Sequence, residues 1–321
     1  MKPQTFSHNT VLLQESIEGL KINPQGIYVD CTLGGGGHSQ WICEALDDAG
    51  VLVGIDQDDF ALEFAKKRLA AYTCQRYFVK SNFASLTKVL ESLHLAKIDG
   101  ILYDLGVSSF QLDDDTRGFS YHHDGPLDMR MNQSADLTAE TVVNDYHPGD
   151  LKKILFIYGE EKFASQIVKS IVRAREKKRI VTTLELSEII KNAYPPKERY
   201  KEKHPSRKTF QAIRLEVNGE LRILEDSLSQ GLKALKPGGR MCVITFHSLE
   251  DRVVKHLFKE RANPCTCPPG FPQCVCGKEP ELKLVSRKPI LPGGDELEEN
   301  RRSRSAKLRI IEKLETGLKV L

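Results

Sequence analysis

The chain has no run of about 18 apolar residues, the length needed to cross a bilayer, and its first residues are polar (Lys2, Gln4, Ser7, His8). Neither a membrane span nor a secretory signal is expected, so the predicted location is cytoplasmic. Net charge is also scarce: 47 Lys and Arg against 44 Asp and Glu leave +3, too little to argue for a nucleic-acid partner by total charge alone. Tryptophan occurs once, and no repeat or low-complexity tract is present. Eight cysteines in 321 residues are too few for a small disulfide-stapled scaffold. What remains is a globular chain long enough for one large domain, or for a domain plus a smaller one.

The most informative stretch is Tyr28-Val-Asp30-Cys31-Thr32-Leu33, which runs into Gly34-Gly-Gly-Gly37, then His38 and a helical apolar pattern (Trp41, Ile42, Ala45, Leu46). This reads as strand, tight turn and helix start. Glycine permits both positive φ and the close approach of a ligand to the backbone. A nucleotide-type cofactor loop is one reading and a flexible turn the other. Val51 to Asp56 is a buried strand ending in an acid about 20 residues beyond the loop, where a carboxylate reaches the ribose of an adenosine-containing cofactor. Tyr77-Phe-Val79 is a third strand with Asn82-Phe83 at its tip, able to meet an adenine or simply to turn and pack. Ile98 to Gly106 is a fourth, again closing on an acid, Asp104. Strands alternating with helices imply a parallel doubly wound sheet whose ligands bind beyond the carboxyl ends of the strands. Gly34 to Gly37, Asp56, Asn82-Phe83 and Asp104 all fall on that edge.

From Val107 to about Pro205 the alternation stops and helical patterns take over, around 138–144, 150–157, 162–174 and 183–192. Thr209 to Leu235 then reads as one long helix, with Phe210, Ile213, Val217, Leu221, Leu224 and Leu228 at helical spacing. Met241 to Phe246 is a fifth strand with His247-Ser248 at its tip, and Leu282–Val285 with Lys307–Ile311 supply an antiparallel closing pair. The expected architecture is a Rossmann-like, seven-stranded, mostly parallel sheet of the class I methyltransferase type with an inserted all-helical domain. The sheet domain is expected over 1–110 and 207–321, and the insertion over 111–206. A dinucleotide loop would want a third glycine where Ser39 stands, and Asp30 opens the motif as an acid near a methionine moiety would. S-adenosylmethionine is therefore preferred to a nicotinamide dinucleotide.

Long motifs then identify a resemblance. His8-Asn-Thr-Val-Leu-Leu-Gln-Glu15, Gly34-Gly-Gly-Gly-His-Ser39, Asp104-Leu-Gly-Val-Ser-Ser109 with Gln111-Leu-Asp113, Arg117-Gly-Phe-Ser120, Gly125-Pro-Leu-Asp-Met-Arg-Met131, Thr209 to Asn218, and Phe246-His-Ser-Leu-Glu-Asp-Arg252 occur in order. Over nearly its whole length the chain resembles the RsmH (MraW) family of bacterial 16S ribosomal RNA N4-cytosine methyltransferases. The resemblance implies methyl transfer from S-adenosylmethionine to N4 of a cytidine in the decoding region. It also implies 16S rRNA of the small ribosomal subunit as partner and an RNA-recognition role for the insertion; no membrane partner is expected, and a homodimer is left open. Carried over by position, its cofactor contacts fall on Gly36, Gly37, His38, Asp56, Phe83, Asp104 and Gln111. The alternatives from other classes are an RNA-binding module without catalysis on the same scaffold and a nicotinamide-dependent dehydrogenase.

Asp104 is the candidate catalytic acid by position. The N4 methyltransferases of DNA carry a Ser/Asp-Pro-Pro-Tyr/Trp turn at this place, and Asp104-Leu-Gly-Val lacks its prolines and aromatic residue. Asp104 is thus alternatively a ligand of the methionine amino group, with the carbonyls of Leu105 or Gly106 facing N4. His247 reads either as a proton acceptor or as a structural strand-end histidine. Phe119 and Tyr121 read either as a sandwich for an unstacked base or as core. The basic stretches 169–179 and 197–208, with Arg130 and Arg214, are expected to meet phosphates. Cys31, Cys43, Cys74 and Cys242 lie in apolar patterns and read as core. No metal ligand is assigned, although Cys265, Cys267, Cys274 and Cys276 form a compact set for which a tetrahedral zinc site, spare thiols and disulfides are the options.

Overall fold

The computed structural model describes residues 10–106, 114–199, 204–268 and 274–315. The chain divides into two compact units, Met1–Gly106 with Leu221–Leu321, and Val107–Glu220.

The first unit is built on seven strands: β1 (Ile27–Asp30), β2 (Val51–Asp56), β3 (Gln75–Lys80), β4 (Ile98–Asp104), β5 (Leu235–Thr245), β6 (Leu282–Leu284) and β7 (Lys307–Lys313). Their order is β3-β2-β1-β4-β5-β7-β6. The first five are mutually parallel, while β7 runs antiparallel to both β5 and β6. Successive residues point to opposite faces of a strand, so apolar runs buried on both sides divide between two cores. On β4, Ile101 and Tyr103 enter one core with Val29, Val53 and Val243, while Leu102 enters the other with Tyr28, Leu52 and Ile244. Helices α1 (Leu13–Leu20), α2 (Gly37–Ala45) and α3 (Asp59–Arg68) share the unit with α4 (Leu86–Ser92). Strand order reverses between β1 and β4, which places the topological switch point, and with it the ligand crevice, beyond Asp30 and Asp104.

The second unit contains α5 (Ala139–Asp145), α6 (Pro148–Ile157), α7 (Ala164–Arg175), α8 (Thr183–Ala193) and α9 (Ser206–Asn218) around its own core of Val142, Leu151, Ile167, Ile171, Leu186 and Ile213. Threonines open two of these helices: Thr138 accepts from the backbone N–H of Thr141 and Thr182 from that of Glu185, each N-cap typically contributing about 1 kcal/mol.

The single helix expected over 209–235 is broken. α9 ends at Asn218, Gly219 takes the left-handed conformation (φ 61°), and α10 (Glu220–Ala234) begins at once. Phe210, Ala212 and Ile213 pack in the helical unit, whereas Leu224, Leu228 and Leu232 cover the sheet. The break thus lets one apolar stripe serve two cores, and the compact helical unit extends to Glu220 rather than to residue 206. β5 also starts earlier than expected, at Leu235, with a bulge that accommodates Pro237 to Gly239 before pairing resumes at Arg240. The remaining helices are α11 (Ser248–Ala262) and α12 (Gly294–Glu299). Among the described residues no helix is long and apolar enough to cross a membrane.

Candidate active site

The carboxyl ends of β1, β2 and β4 hold three acids in unlike settings. Asp30 is buried, 1% exposed. Its Oδ2 accepts from Ser39 Oγ at 2.7 Å and its Oδ1 from the backbone N–H of Thr32 at 3.1 Å. Burial raises its pKa to about 6, against the opposing pull of these bonds. The carboxylate therefore staples the glycine turn to the first turn of α2.

Asp56 fixes the turn from the other side. Gly34 N–H donates to its Oδ2 at 2.8 Å and Asp58 N–H to its Oδ1 at 2.9 Å. These backbone donors orient the carboxylate at the tip of β2. Its pKa is raised, burial outweighing the backbone bonds. Gly36 caps α2 with φ 73°, a conformation that costs an L side chain about 1–2 kcal/mol, and a Cβ there would lie 3.3 Å from Ala65 Cβ. A Cβ on Gly37 would lie 2.1 Å from Thr10 Oγ1. The loop is thus closely packed on its protein side.

Asp104 is the most exceptional of the acids. Its backbone N–H donates to Thr32 Oγ1 at 2.6 Å, tying the tips of β1 and β4 across the switch point. Its side chain is 28% exposed, yet Oδ1 is buried and has no hydrogen-bond partner among the described residues. Burial first, then the neighbouring charges of Asp30 and Glu250, push its pKa up to about 8. His38 Nδ1 stands 3.7 Å from Asp104 Oδ2, beyond hydrogen-bond length. His38 Nε2 lies 3.1 Å from Val11 O, so the ring donates there, and burial lowers its pKa to about 4. A neutral imidazole consequently offers the acid no compensating charge.

Phe83 opens the short turn after β3. Its ring meets Tyr103 edge-on, with centroids 6.0 Å apart, and its carbonyl accepts from Ser227 Oγ at 2.8 Å. Asn82 caps that turn through Ala84 N–H and donates to Gln57 Oε1, which joins the β2 and β3 tips. Asp56 and Asp104 close their strands, and Gly36, Gly37, His38 and Phe83 lie on the segments that follow the strands' carboxyl ends. Gln111, like His8, lies outside the described residues.

Several candidates have structural duties. His247 accepts from Glu250 N–H and completes a capping box at the start of α11. Its Nε2 is 2.9 Å from Glu250 Oε1 but out of hydrogen-bond alignment. Phe119 is 5% exposed and belongs to the helical core. Tyr121 is half-buried, stacked on His204 at 4.9 Å and edge-on to Phe210. Arg130 pairs with Asp128, and Arg214 makes two bonds to Glu220. Arg175 spends its guanidinium on the carbonyls of Val143 and Tyr146, and Arg179 on Glu140 and Asp145. Lys178 stands 3.9 Å from Glu185, and the other exposed cations of this stretch are Lys169, Arg173 and Lys177. The helical unit holds a cavity of about 350 Å³ between Tyr146, Asp150, Lys153 and Glu216.

Unaided spacing missed Thr32 and Ser39, which hold the two switch-point acids. Both follow from the rule that a buried carboxylate or strand-end amide needs a partner nearby.

The rim fits S-adenosylmethionine. A buried acid, Asp30, and a partly exposed one, Asp104, both with raised pKa values and the second with an oxygen unpartnered among the described residues, suit a ligand that carries positive charge, and Asp56 suits its ribose. Residues 5–314 match the MraW methylase family. The chain is 55% identical to "Ribosomal RNA small subunit methyltransferase H 2" of Agathobacter rectalis, over 96% of this chain and 98% of that protein. It is 54% identical to "Ribosomal RNA small subunit methyltransferase H" of Carboxydothermus hydrogenoformans, again over 96% and 98%. It is 50% identical to the protein of that name from Brevibacillus brevis, over 98% of this chain and all of that one. A seven-stranded, mostly parallel sheet and matches of this length place the chain in the MraW methylase family, as an S-adenosylmethionine-dependent methyltransferase.

Proposed function

We propose that the chain transfers the methyl group of S-adenosylmethionine to N4 of a cytidine in the decoding region of 16S rRNA, acting on the small ribosomal subunit. The observation that carries the RNA substrate is the shared name of relatives 50–55% identical over nearly the full length. For the reacting centre it is the orphaned Asp104 Oδ1 at the switch point.

When bound, S-adenosylmethionine supplies an electrophilic methyl group on a sulfonium centre. The chain's task is then orientation, which can contribute several kcal/mol by holding nucleophile and methyl in line. Gly36 and Gly37 would offer the cofactor a backbone surface at the N-terminus of α2, and Asp56 would accept from its ribose. Asp104, whose pKa burial and the charges of Asp30 and Glu250 raise, would hold a cationic group of the cofactor. N4 of cytosine is a poor nucleophile because its lone pair is delocalised into the ring. Carbonyls of Leu105 or Gly106 accept from its hydrogens, which favours a pyramidal nitrogen and stabilises the charge developing there.

RNA affinity falls to the helical unit. Lys169 and Arg173 lie one turn apart on α7, and Lys177 follows just beyond its end. The stack of Tyr121 on His204 offers a surface for an unpaired base.

The test incubates small subunits lacking the modification with the full chain and labelled S-adenosylmethionine, then digests the RNA to nucleosides. Label in N4-methylcytidine is expected; label confined to another position of the base or to the ribose contradicts the reading.

A further inference from the structure

The connection between α11 and β6 carries four cysteines that methyl transfer does not use. Cys265, Cys267, Cys274 and Cys276 place all four Sγ atoms within 4.8 Å of one another. The separations are 3.4 Å for Cys274–Cys276, 3.6 Å for Cys265–Cys274, and 3.8 Å for both Cys267–Cys274 and Cys265–Cys276. Four thiolates arranged tetrahedrally around zinc at about 2.3 Å have an S···S edge of about 3.8 Å. A disulfide needs about 2.05 Å, far shorter than any of these. We infer that the quartet binds one structural zinc ion.

The surroundings agree. The two Cys-x-Cys pairs bring their four sulfur atoms together from the two ends of the connection. Val275 N–H donates to Cys267 Sγ at 3.4 Å, and such backbone donors orient thiolate ligands. The segment has little core to hold it: Cys265 and Cys274 are exposed, and Val275 is 73% exposed. Its base, by contrast, is clamped by Arg261 and Glu281, through a 2.6 Å ion pair and the Glu281 N–H bond to Arg261 O at 3.0 Å. An ion at the tip closes what the clamp begins. All four ligands come from protein, which leaves no position for water or substrate and assigns the ion to folding rather than catalysis. On binding, four S–Zn bonds form and the protons of those cysteines that are still thiols pass to solvent; no oxidant or reductant takes part. The ordering is local, so the methyltransferase rim should fold without it.

The test measures metal in the full chain produced with zinc in the medium and purified without chelator. Elemental analysis should find one zinc per chain, and titration of the thiols with an organomercurial should release it. The double variant Cys265→Ser/Cys276→Ser should bind at least about tenfold less zinc while keeping the wild-type circular dichroism and thermal shift with S-adenosylmethionine. Should that variant misfold, cobalt substitution of the wild-type chain gives the second readout, with visible bands of a tetrahedral thiolate site expected. Iron in place of zinc, a mass showing two disulfides, or four freely reacting thiols in metal-free, folded protein would overturn the inference.

Discussion

At the scale of single residues, the site depends on charges that the free protein cannot easily carry. Asp104 should be essential: Asp104→Ala is expected to abolish turnover, and near-normal methylation by that variant would remove the residue from the reaction. Its protonation makes a separate prediction about stability. The folded pKa of about 8 lies above the ordinary value of 3.8, so the folded state binds the proton more tightly than the unfolded one. The stabilisation is complete below the ordinary value and is lost as pH rises through 8. Asp104→Asn lacks this loss. Its unfolding free energy should match the wild type near pH 4 and exceed it increasingly up to pH 8, by on the order of a few kcal/mol, then stay level, as read by denaturant unfolding. A constant difference at all pH values would show that the carboxyl is not titrating as described. Gly36→Ala should cost about 1–2 kcal/mol from its left-handed backbone alone, read by denaturant unfolding, together with weaker cofactor binding.

At the scale of elements, the sheet was legible because β1, β2 and β4 carry short apolar runs bounded by turns, and the acids that close them show where the ligand edge lies. Asp30, Asp56 and Asp104 could be read from position alone. The α9–α10 break could not, because Phe210 to Leu228 keeps one unbroken helical period while its two halves pack in different cores. Only the left-handed Gly219 marks it, and a glycine is tolerated inside many helices. Charge was equally ambiguous. The stretch 169–179 reads as a phosphate surface, but Arg175 and Arg179 serve carbonyls and carboxylates of their own unit. The stripe of Lys169, Arg173 and Lys177 should carry the phosphate pairing. Replacing the three by alanine should weaken RNA binding at low salt and flatten its logarithmic salt dependence by about 0.7–0.9 for each phosphate no longer neutralised. An unchanged slope in binding assays would place the RNA elsewhere.

At the scale of the whole molecule, the proposed cofactor role of Asp104 predicts that cofactor and proton compete for the switch point. Binding of a cationic cofactor should favour ionised Asp104. Affinity for S-adenosylmethionine should therefore rise with pH, by up to about tenfold per unit, until it levels above pH 8. Calorimetry in buffers of different ionisation enthalpy would register the released proton; a pH-independent constant would contradict the coupling. The same rim must then act on RNA, and one measurement tests that most directly. Unmodified small subunits are incubated with labelled S-adenosylmethionine and either wild-type chain or Asp104→Ala, and the 16S rRNA fragments are mapped by mass spectrometry. One labelled methyl group on N4 of a decoding-region cytidine, present with the wild type and absent with the variant, is the expected result. Label at another site, or no label with a wild-type chain that binds the cofactor, would contradict it.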